Sequence, residues 1–495
     1  MASSPSHLSS GHDLEKREKP VGELILDKPV ESPYLDDALE KRVWRKLDLY
    51  VLPVVSMFYL LSFIDRTNVA NARVAGMQAD LKMTNHDYSV ALTVTYVPYI
   101  IAELPSNLLL KAVGPNWMLP TMLTLWGIVV TLQGVVTSYS GLLACRFFLG
   151  LFEGGVFPGL VLYLSFFYPR QRLQWRISAF FSCASLSGAF SGLLAFGIIN
   201  LDGVGGKRGW AWIFFLEGIF TVLFGVVSFW LLPKSPAHAY FFNENEKNYV
   251  IERLKDDGAT GKDASVDAFS WREVRKAFML PQTWILGVVL FCDGTVLYSL
   301  AYFAPSIIQG LGFTAARAQL MSVPPFAVAF VTAMISAFIS DHYHCRGLVL
   351  IFSSVMCVIG FGMFLGSQSH SVQYGSLFMS IPGTYIVAPT LSTWLANNVA
   401  PHTRRATAIA IGFMLTNFGG ILATWLLGAL SPAPRYTKAT IVLLVFSVLM
   451  VLFSVLNLGY LWDQNKKKRV IREGMDMSTE DLSLGDKSAW FEYNL

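Results

Sequence analysis

Two stretches place opposite charges inside otherwise apolar sequence: FIDRTNVANAR, with Asp65 and Arg66, and RFFLGLFEGGVFPG, with Arg146 and Glu153. Seven residues make two helical turns, so Arg146 and Glu153 share a face about 10 Å apart. Arginine stays protonated and presents a planar fork that fits a carboxylate. A carboxyl group in a partly dry cavity can bind and release a proton near physiological pH. Together these residues suit a site that binds an organic anion at Arg66 and Arg146 and links its movement to H⁺ at Asp65 or Glu153. The plainer alternative is that the four charges neutralise one another and pin two helices together.

Three further acids stand in apolar sequence: Glu103 in AELPSN, Glu217 in FFLEG and Asp293 in FCDGTVLY. Glu103 and Glu217 lie beside Pro or Gly and read as helix-bridging or capping groups. Asp293 precedes Gly294, where a local unwinding would turn its carboxylate into a central cavity and give it a part in proton coupling. Tyr298 and Tyr302 are four apart and share a helix face, placed to hydrogen-bond a carboxylate or stack on a heteroaromatic ring. Tyr96 and Tyr99 admit the same role, and all four tyrosines admit that of interfacial anchors.

The elements that carry these residues belong in a bilayer. Of the 495 residues 53% are hydrophobic and 15% charged, against roughly 45–50% and about 25% in soluble domains. About a dozen apolar runs approach the ~20 residues that cross a membrane. Bounded by Pro, Gly and charge, they predict helices near 47–72, 88–111, 116–136, 140–168, 172–200 and 209–232, then 281–309, 317–340, 347–366, 372–399, 404–430 and 437–463. The fold class expected is an all-α membrane protein of twelve transmembrane helices in two six-helix halves. The domains expected are a disordered cytoplasmic N-tail (1–45), a first half (46–232), a cytoplasmic linker (233–280), a second half (281–463) and a cytoplasmic C-tail (464–495).

Orientation follows from the basic residues beside the spans. Lys41, Arg42, Arg45 and Lys46, then Arg170, Arg172 and Arg176, the linker, Arg346, Arg404, Arg405 and Lys466–Arg469 fall on one side, which puts both termini in the cytoplasm. A net charge of +4 spread over tails and loops gives no nucleic-acid surface. The five cysteines show neither CxxC nor Cys/His spacing, so neither a disulfide framework nor a metal site is expected. No HExxH, GxSxG or nucleotide loop appears, so neither catalytic residues nor a cofactor are expected and the chain does not read as an enzyme. The glycines at 150, 154, 155 and 159, and at 188 and 192, fit close helix contact.

FIDRTNVANAR and RFFLGLFEGGVFPG, with KAVGPNW, SDHYHCRG and PHTRRATAIAIGF, resemble the anion:cation symporter branch of the major facilitator superfamily, over residues 41 to about 465. The likeness is greatest to the fungal allantoate, nicotinate and pantothenate permease group. It implies alternating access by two six-helix halves about a central site. It also implies anion contact at Arg66 and Arg146, proton linkage at Asp65 and Glu153, and a substrate-site asparagine at Asn417 in MLTNFGG. The loop between the second and third helices departs from the superfamily's usual basic pattern, keeping only Lys111, Gly114 and Pro115. The fifth helix lacks the Gly-Pro pair of drug antiporters, which argues against a drug exporter.

The reading is therefore a proton-coupled importer of a small organic anion, a vitamin-like or nitrogen-containing carboxylate with nicotinate leading, in the plasma membrane. Its partners are that anion, protons and the lipid bilayer, and a monomer is the expected state. An exporter of an acidic metabolite with the same fold and a non-transporting nutrient sensor are the alternatives.

Overall fold

A computed structural model of the chain describes residues 37–256, 271–343, 345–400, 402–431, 436–473 and 482–495. Among these the regular structure is helical throughout. The first half comprises α1 (Asp37–Tyr50), α2 (Leu52–Ala72), α3 (Gln78–Asp80), α4 (Asn85–Val113), α5 (Pro115–Gln133), α6 (Tyr139–Glu153), α7 (Val156–Ser165), α8 (Arg170–Ile198) and α9 (Gly209–Leu231). Two short helices follow, α10 (Glu244–Asp256) and α11 (Trp271–Met279). The second half is α12 (Pro281–Gly310), α13 (Ala315–Tyr343), α14 (Arg346–Gly366), α15 (His370–Asn397), α16 (His402–Gly428) and α17 (Thr437–Glu473).

Every predicted helix has a counterpart here, and nine stretches among the described residues are long and apolar enough to cross a membrane. The predicted spans at 88–111, 116–136 and 372–399 are helical in α4, α5 and α15 but fall outside those nine. Helices that face helices rather than lipid tolerate the Thr, Ser and Tyr that α4 and α15 carry. Four boundaries also differ from expectation. The chain is helical from Asp37, because DALEKRVWRKLDLY buries Val43, Trp44 and Leu47 along one face. The fourth predicted helix breaks at Gly154 and Gly155 into α6 and α7. Helix α12 runs unbroken through Asp293 and Gly294, so the predicted unwinding is not there. Helix α17 continues to Glu473; its 37 residues span about 55 Å, well beyond the ~30 Å hydrocarbon core.

The side that bears α1, α10 and α11 is the linker side; the opposite face is the loop side. In the first half α5 packs on α9, α2 on α8 and α4 on α6; in the second α12 packs on α16 and α17, and α14 on α15. The halves meet chiefly through α8 with α13 and α4 with α16. Their tightest approach lies toward the loop side. A Cβ on Gly188 would come within 2.6 Å of the Phe326 ring, and one on Gly192 within 2.6 Å of Ser322 Oγ and 2.8 Å of the Gln319 carbonyl. Ser89 Oγ donates to the Thr424 carbonyl at 2.9 Å, Thr93 and Thr424 hydroxyls meet at 3.0 Å, and Gln319 Nε2 donates to the Asn71 carbonyl at 3.2 Å. Small side chains let the backbones come this close, and neutral hydrogen bonds complete the seal.

The linker side is held by ion pairs within each half. Glu246 of α10 takes Lys46 at 2.7 Å and Arg42 at 3.1 Å, and Arg176 of α8 takes Asp48 at 2.8 Å. Arg404, fully buried at the start of α16, donates to Glu273 of α11 at 2.6 and 2.9 Å and also to Asp486. The expected plain tail is thus a docked segment over residues 482–495. Trp394 Nε1 and Asn398 Nδ2 both donate to the Asn494 carbonyl, at 2.8 and 2.9 Å, and Lys468 Nζ donates to the carbonyls of Asp486 and Phe491. Backbone groups supply most of these acceptors, which is why residue type alone did not reveal the docking. The predicted tail residues 1–36 and 474–481, and linker residues 257–270, lie outside the described residues.

Candidate functional site

Between the halves lies a cavity whose charged residues are Arg66, Glu103, Glu153 and Asp293. Arg66 sits at its centre. Its Nη2 is 2.7 Å from Glu153 Oε1, its Nε donates to the same oxygen at 2.9 Å, and its Nη1 donates to the Tyr298 hydroxyl at 2.7 Å. Glu153 also accepts from Ser62 Oγ at 2.6 Å. The first and second halves are therefore joined through one guanidinium, because Tyr298 belongs to α12. Three rings surround that guanidinium, Phe63, Tyr99 and Tyr298, with centroids 5.1, 5.4 and 5.5 Å from Cζ. Such cation–π contacts stabilise a charge taken out of water.

Local sequence explains the arrangement. Ser62, Phe63 and Arg66 are related by one turn of α2, and Tyr99 and Glu103 by one turn of α4, so each set presents one face. Helix α6 ends at Glu153 because Gly154 and Gly155 follow. Gly154 abuts the Tyr99 carbonyl, and Gly155 lies where a Cβ would overlap the Ser106 side chain. Any larger residue there would push α4 and its Tyr99 away from Glu153.

The predicted site residues fall into two layers. Arg66, Glu153, Asp293, Tyr298 and Asn417 line the cavity together. Asp293 reaches it from a continuous helix and accepts from Thr384 Oγ1 at 2.7 Å. Tyr302 stands behind Tyr298, stacked on it at 5.9 Å, with its hydroxyl 3.0 Å from that of Tyr96. Asp65 and Arg146 are not among the cavity-lining residues. Both are buried, at 3% and 2% exposure, and their electrostatic neighbours include each other, with Tyr88 and Tyr302 beside Arg146. Adjacent residues on a helix point about 100° apart, so Asp65 faces away from the cavity that Arg66 enters.

Sequence reasoning missed Tyr59, Ser62 and Phe63 and read Glu103 as a helix-bridging or capping group, yet all four line the cavity. The one-turn spacing of Ser62 and Phe63 from Arg66 is the signal that would have found those two. Toward the linker side Phe413 of α16 packs on Phe157 at 4.7 Å and Phe181 at 6.4 Å, an aromatic bridge between halves. Nothing in residue type pairs these rings across 250 residues of chain.

Comparisons with known proteins agree with this architecture. The family model of the Major Facilitator Superfamily matches residues 55–424. An uncharacterized transporter of Schizosaccharomyces pombe is 33% identical over 94% of this chain and 93% of its own length. The high-affinity nicotinic acid transporter of Saccharomyces cerevisiae is 32% identical over 98% and 92%. Among solved structures, a D-xylose-proton symporter shares the fold at a TM-score of 0.63 and 14% identity, over 83% of this chain and 97% of that one. A bacterial homolog of the human lysosomal transporter Spinster, inward-facing and unoccupied, does so at 0.63 and 16%, over 82% and 95%. With its all-helical halves and a cavity between them, the chain is a multi-pass membrane transporter, not an enzyme, and belongs to the Major Facilitator Superfamily.

Proposed function

We propose that this transporter imports a small organic anion together with protons by alternating access, with the linker side in the cytoplasm, twelve helices crossing the plasma membrane and a monomer as the working unit. The observation that carries the proposal is Arg66 held between Glu153 and the Tyr298 hydroxyl in a cavity between the halves. Glu153 occupies the place an anionic substrate needs. Protonation of Glu153 weakens its hold on Arg66, and a substrate carboxylate then takes the guanidinium as a charge-assisted, forked partner. Phe63, Tyr99 and Tyr298 give flat apolar faces for a ring, and Asn417 offers a neutral hydrogen-bonding group. Asp293, fixed by Thr384, stands as a second proton acceptor on the opposite half.

Nicotinate leads as substrate because a planar ring with one carboxylate matches this set, and because a relative at 32% identity is named for nicotinic acid transport. Arg146, behind the cavity, serves as counter-charge to Asp65 rather than as the anion's first contact. On this reading the loop-side seal closes the present arrangement to the outside, and the Phe157, Phe181 and Phe413 rings narrow the cytoplasmic side of the cavity.

The test is uptake by transporter-deficient cells of a labelled panel of nicotinate, pantothenate, biotin, allantoate and sugar acids, at acidic and slightly alkaline external pH. Accumulation of one acid, greater in acid and abolished by a protonophore, is the expected outcome. No accumulation of any acid, with the protein verified at the cell surface, would sink the import reading.

A further inference from the structure

A second group of buried polar residues lies behind the cavity, toward the loop side. Asp65 of α2 and Glu217 of α9 are joined through one amide: Asn68 Nδ2 donates to Asp65 Oδ1 at 3.4 Å and also to a Glu217 oxygen. Each carboxyl is nearly fully buried, at 3% and 6% exposure. Glu217 Oε1 has no hydrogen-bond partner among the described residues, and besides Asn68 the hydrogen-bonding side chain beside Asp65 is Trp126 of α5. A buried, ionised carboxylate with few donors is costly, and two that must share the Asn68 amide are costlier.

The charges around the pair decide what it lacks. From α6, Arg146 supplies one positive charge beside Asp65. Glu153, also on α6, is engaged by Arg66 on the cavity face. Helix α5 contributes the uncharged Trp126, α8 the hydroxyl of Ser191, and α4 and α12 the phenols Tyr88 and Tyr302 beside Arg146. Two carboxylates and one arginine leave one negative charge over, and one proton balances it.

The pair is also wired to the seal. Asn68 Oδ1 accepts from Ser191 Oγ at 3.2 Å, Ser191 Oγ accepts from Asn71 Nδ2 at 2.6 Å, and the Asn71 carbonyl accepts from Gln319 of the second half at 3.2 Å. Ser191 neighbours Gly192, where a Cβ would run into Ser322 Oγ and the Gln319 carbonyl. A change in how Asn68 is shared thus reaches α8 through Ser191, and α13 through Asn71 and its backbone carbonyl.

We propose that Asp65 and Glu217, bridged by Asn68, form one proton-binding site whose occupancy holds the loop-side seal closed, with Glu217 a coupling residue in its own right. The proton enters from loop-side water when the seal is open and sits on a carboxyl oxygen of the pair. Its departure, past neighbouring Glu153 into the cavity and on to linker-side water while the seal is closed, leaves two like charges on one amide, and the network relaxes by parting α8 from α13. This deepens the proton-coupled reading above, on which it rests.

The experiment is hydrogen–deuterium exchange of the full chain in lipid nanodiscs, without substrate, read in peptides covering 315–326 and corrected for the intrinsic pH dependence of exchange. In the unaltered protein, exchange there rises several-fold as pH is raised. Glu217→Gln loses that rise, while Glu217→Asp, which keeps the carboxyl, retains it with a displaced midpoint. Asp65→Asn carries the same expectation as Glu217→Gln and serves if that variant does not fold. A pH response unchanged in Glu217→Gln overturns the proposal. So does loss of the response in Glu217→Asp and Glu217→Gln alike, which marks a packing role, or a response that requires Na⁺ in place of choline. Failure of every acid in the uptake assay leaves these outcomes standing. Proton-driven uptake by Glu217→Gln with an unchanged pH profile overturns this inference alone.

Discussion

At the scale of single residues, the cavity poses a competition. Glu153 and an incoming carboxylate need the same two nitrogens of Arg66, whose third direction is taken by Tyr298. Charged hydrogen bonds of this kind contribute about 1.5–3 kcal/mol, so Arg66→Ala should weaken anion binding by roughly 10- to 100-fold. Arg66→Lys, which keeps the charge and loses the fork, should recover only part of it. Glu153→Gln should separate binding from coupling: radiolabel exchange down equal concentrations persists while accumulation against a gradient is lost. Exchange and accumulation falling together would assign Glu153 to substrate binding instead. Arg66 and Glu153 were legible as charges in apolar sequence and Tyr298 through its one-turn spacing from Tyr302, and the structure sets all three in one cavity. Where Arg146 lies was not legible, since its two-turn spacing from Glu153 fixes a shared face and not which layer of the bundle that face meets.

At the scale of elements, the positions of the membrane helices followed from apolar runs, and the exceptions have physical causes. Helix α1 escaped because its apolar stripe of Val43, Trp44 and Leu47 is thin among seven charged residues. The end of α17 was misjudged because QNKKKRVIRE changes polarity without changing helix propensity. Small-residue contacts were visible as glycine spacing, but only the structure pairs Gly188 and Gly192 with α13. That pairing makes a directional prediction. Gly192→Val forces a branched side chain against Ser322 and the Gln319 backbone, so the loop-side seal should open. Cysteines placed at Thr137 and Ser371, both exposed on that side, should then report a longer spin-label distance than in the parent. An unchanged distance would show that α8 and α13 absorb the methyls locally.

At the scale of the whole molecule, each half is closed on the linker side by pieces that apolar patterning does not predict: α1 with α10 on the first, α11 with residues 482–495 on the second. Burial pushes the Glu246 carboxyl up, but the Lys46 hydrogen bond, the Asn243 backbone N–H and the charges of Lys46 and Arg42 outweigh it and hold it below the ordinary carboxylate range. A carboxyl lowered on folding contributes stability that is complete above its unfolded value and is lost as pH falls through the folded one. Helix α10 should therefore loosen from α1 only in acid, and modestly, because the partners are partly screened by solvent. Limited proteolysis across 244–256 should speed up as pH drops, and Lys46→Met should remove most of that pH dependence.

The division between a neutral loop-side seal and charged linker-side fastenings has a consequence for ionic strength. Mobile ions screen exposed charge pairs beyond about 8–10 Å at ordinary salt and leave neutral hydrogen bonds and van der Waals contact untouched. Ser89 with Thr424, Gln319 with Asn71 and Gly192 with Ser322 carry no net charge. Arg42 with Glu246 and Arg172 with Glu40 are partly exposed. Salt is therefore expected to loosen the exposed linker-side pairs of α1 with α8 and α10 and to leave the neutral contacts between the two halves unchanged. The loop-side contact between the halves is thus expected to keep its strength as ionic strength changes, while the peripheral helices α1 and α10 respond to it.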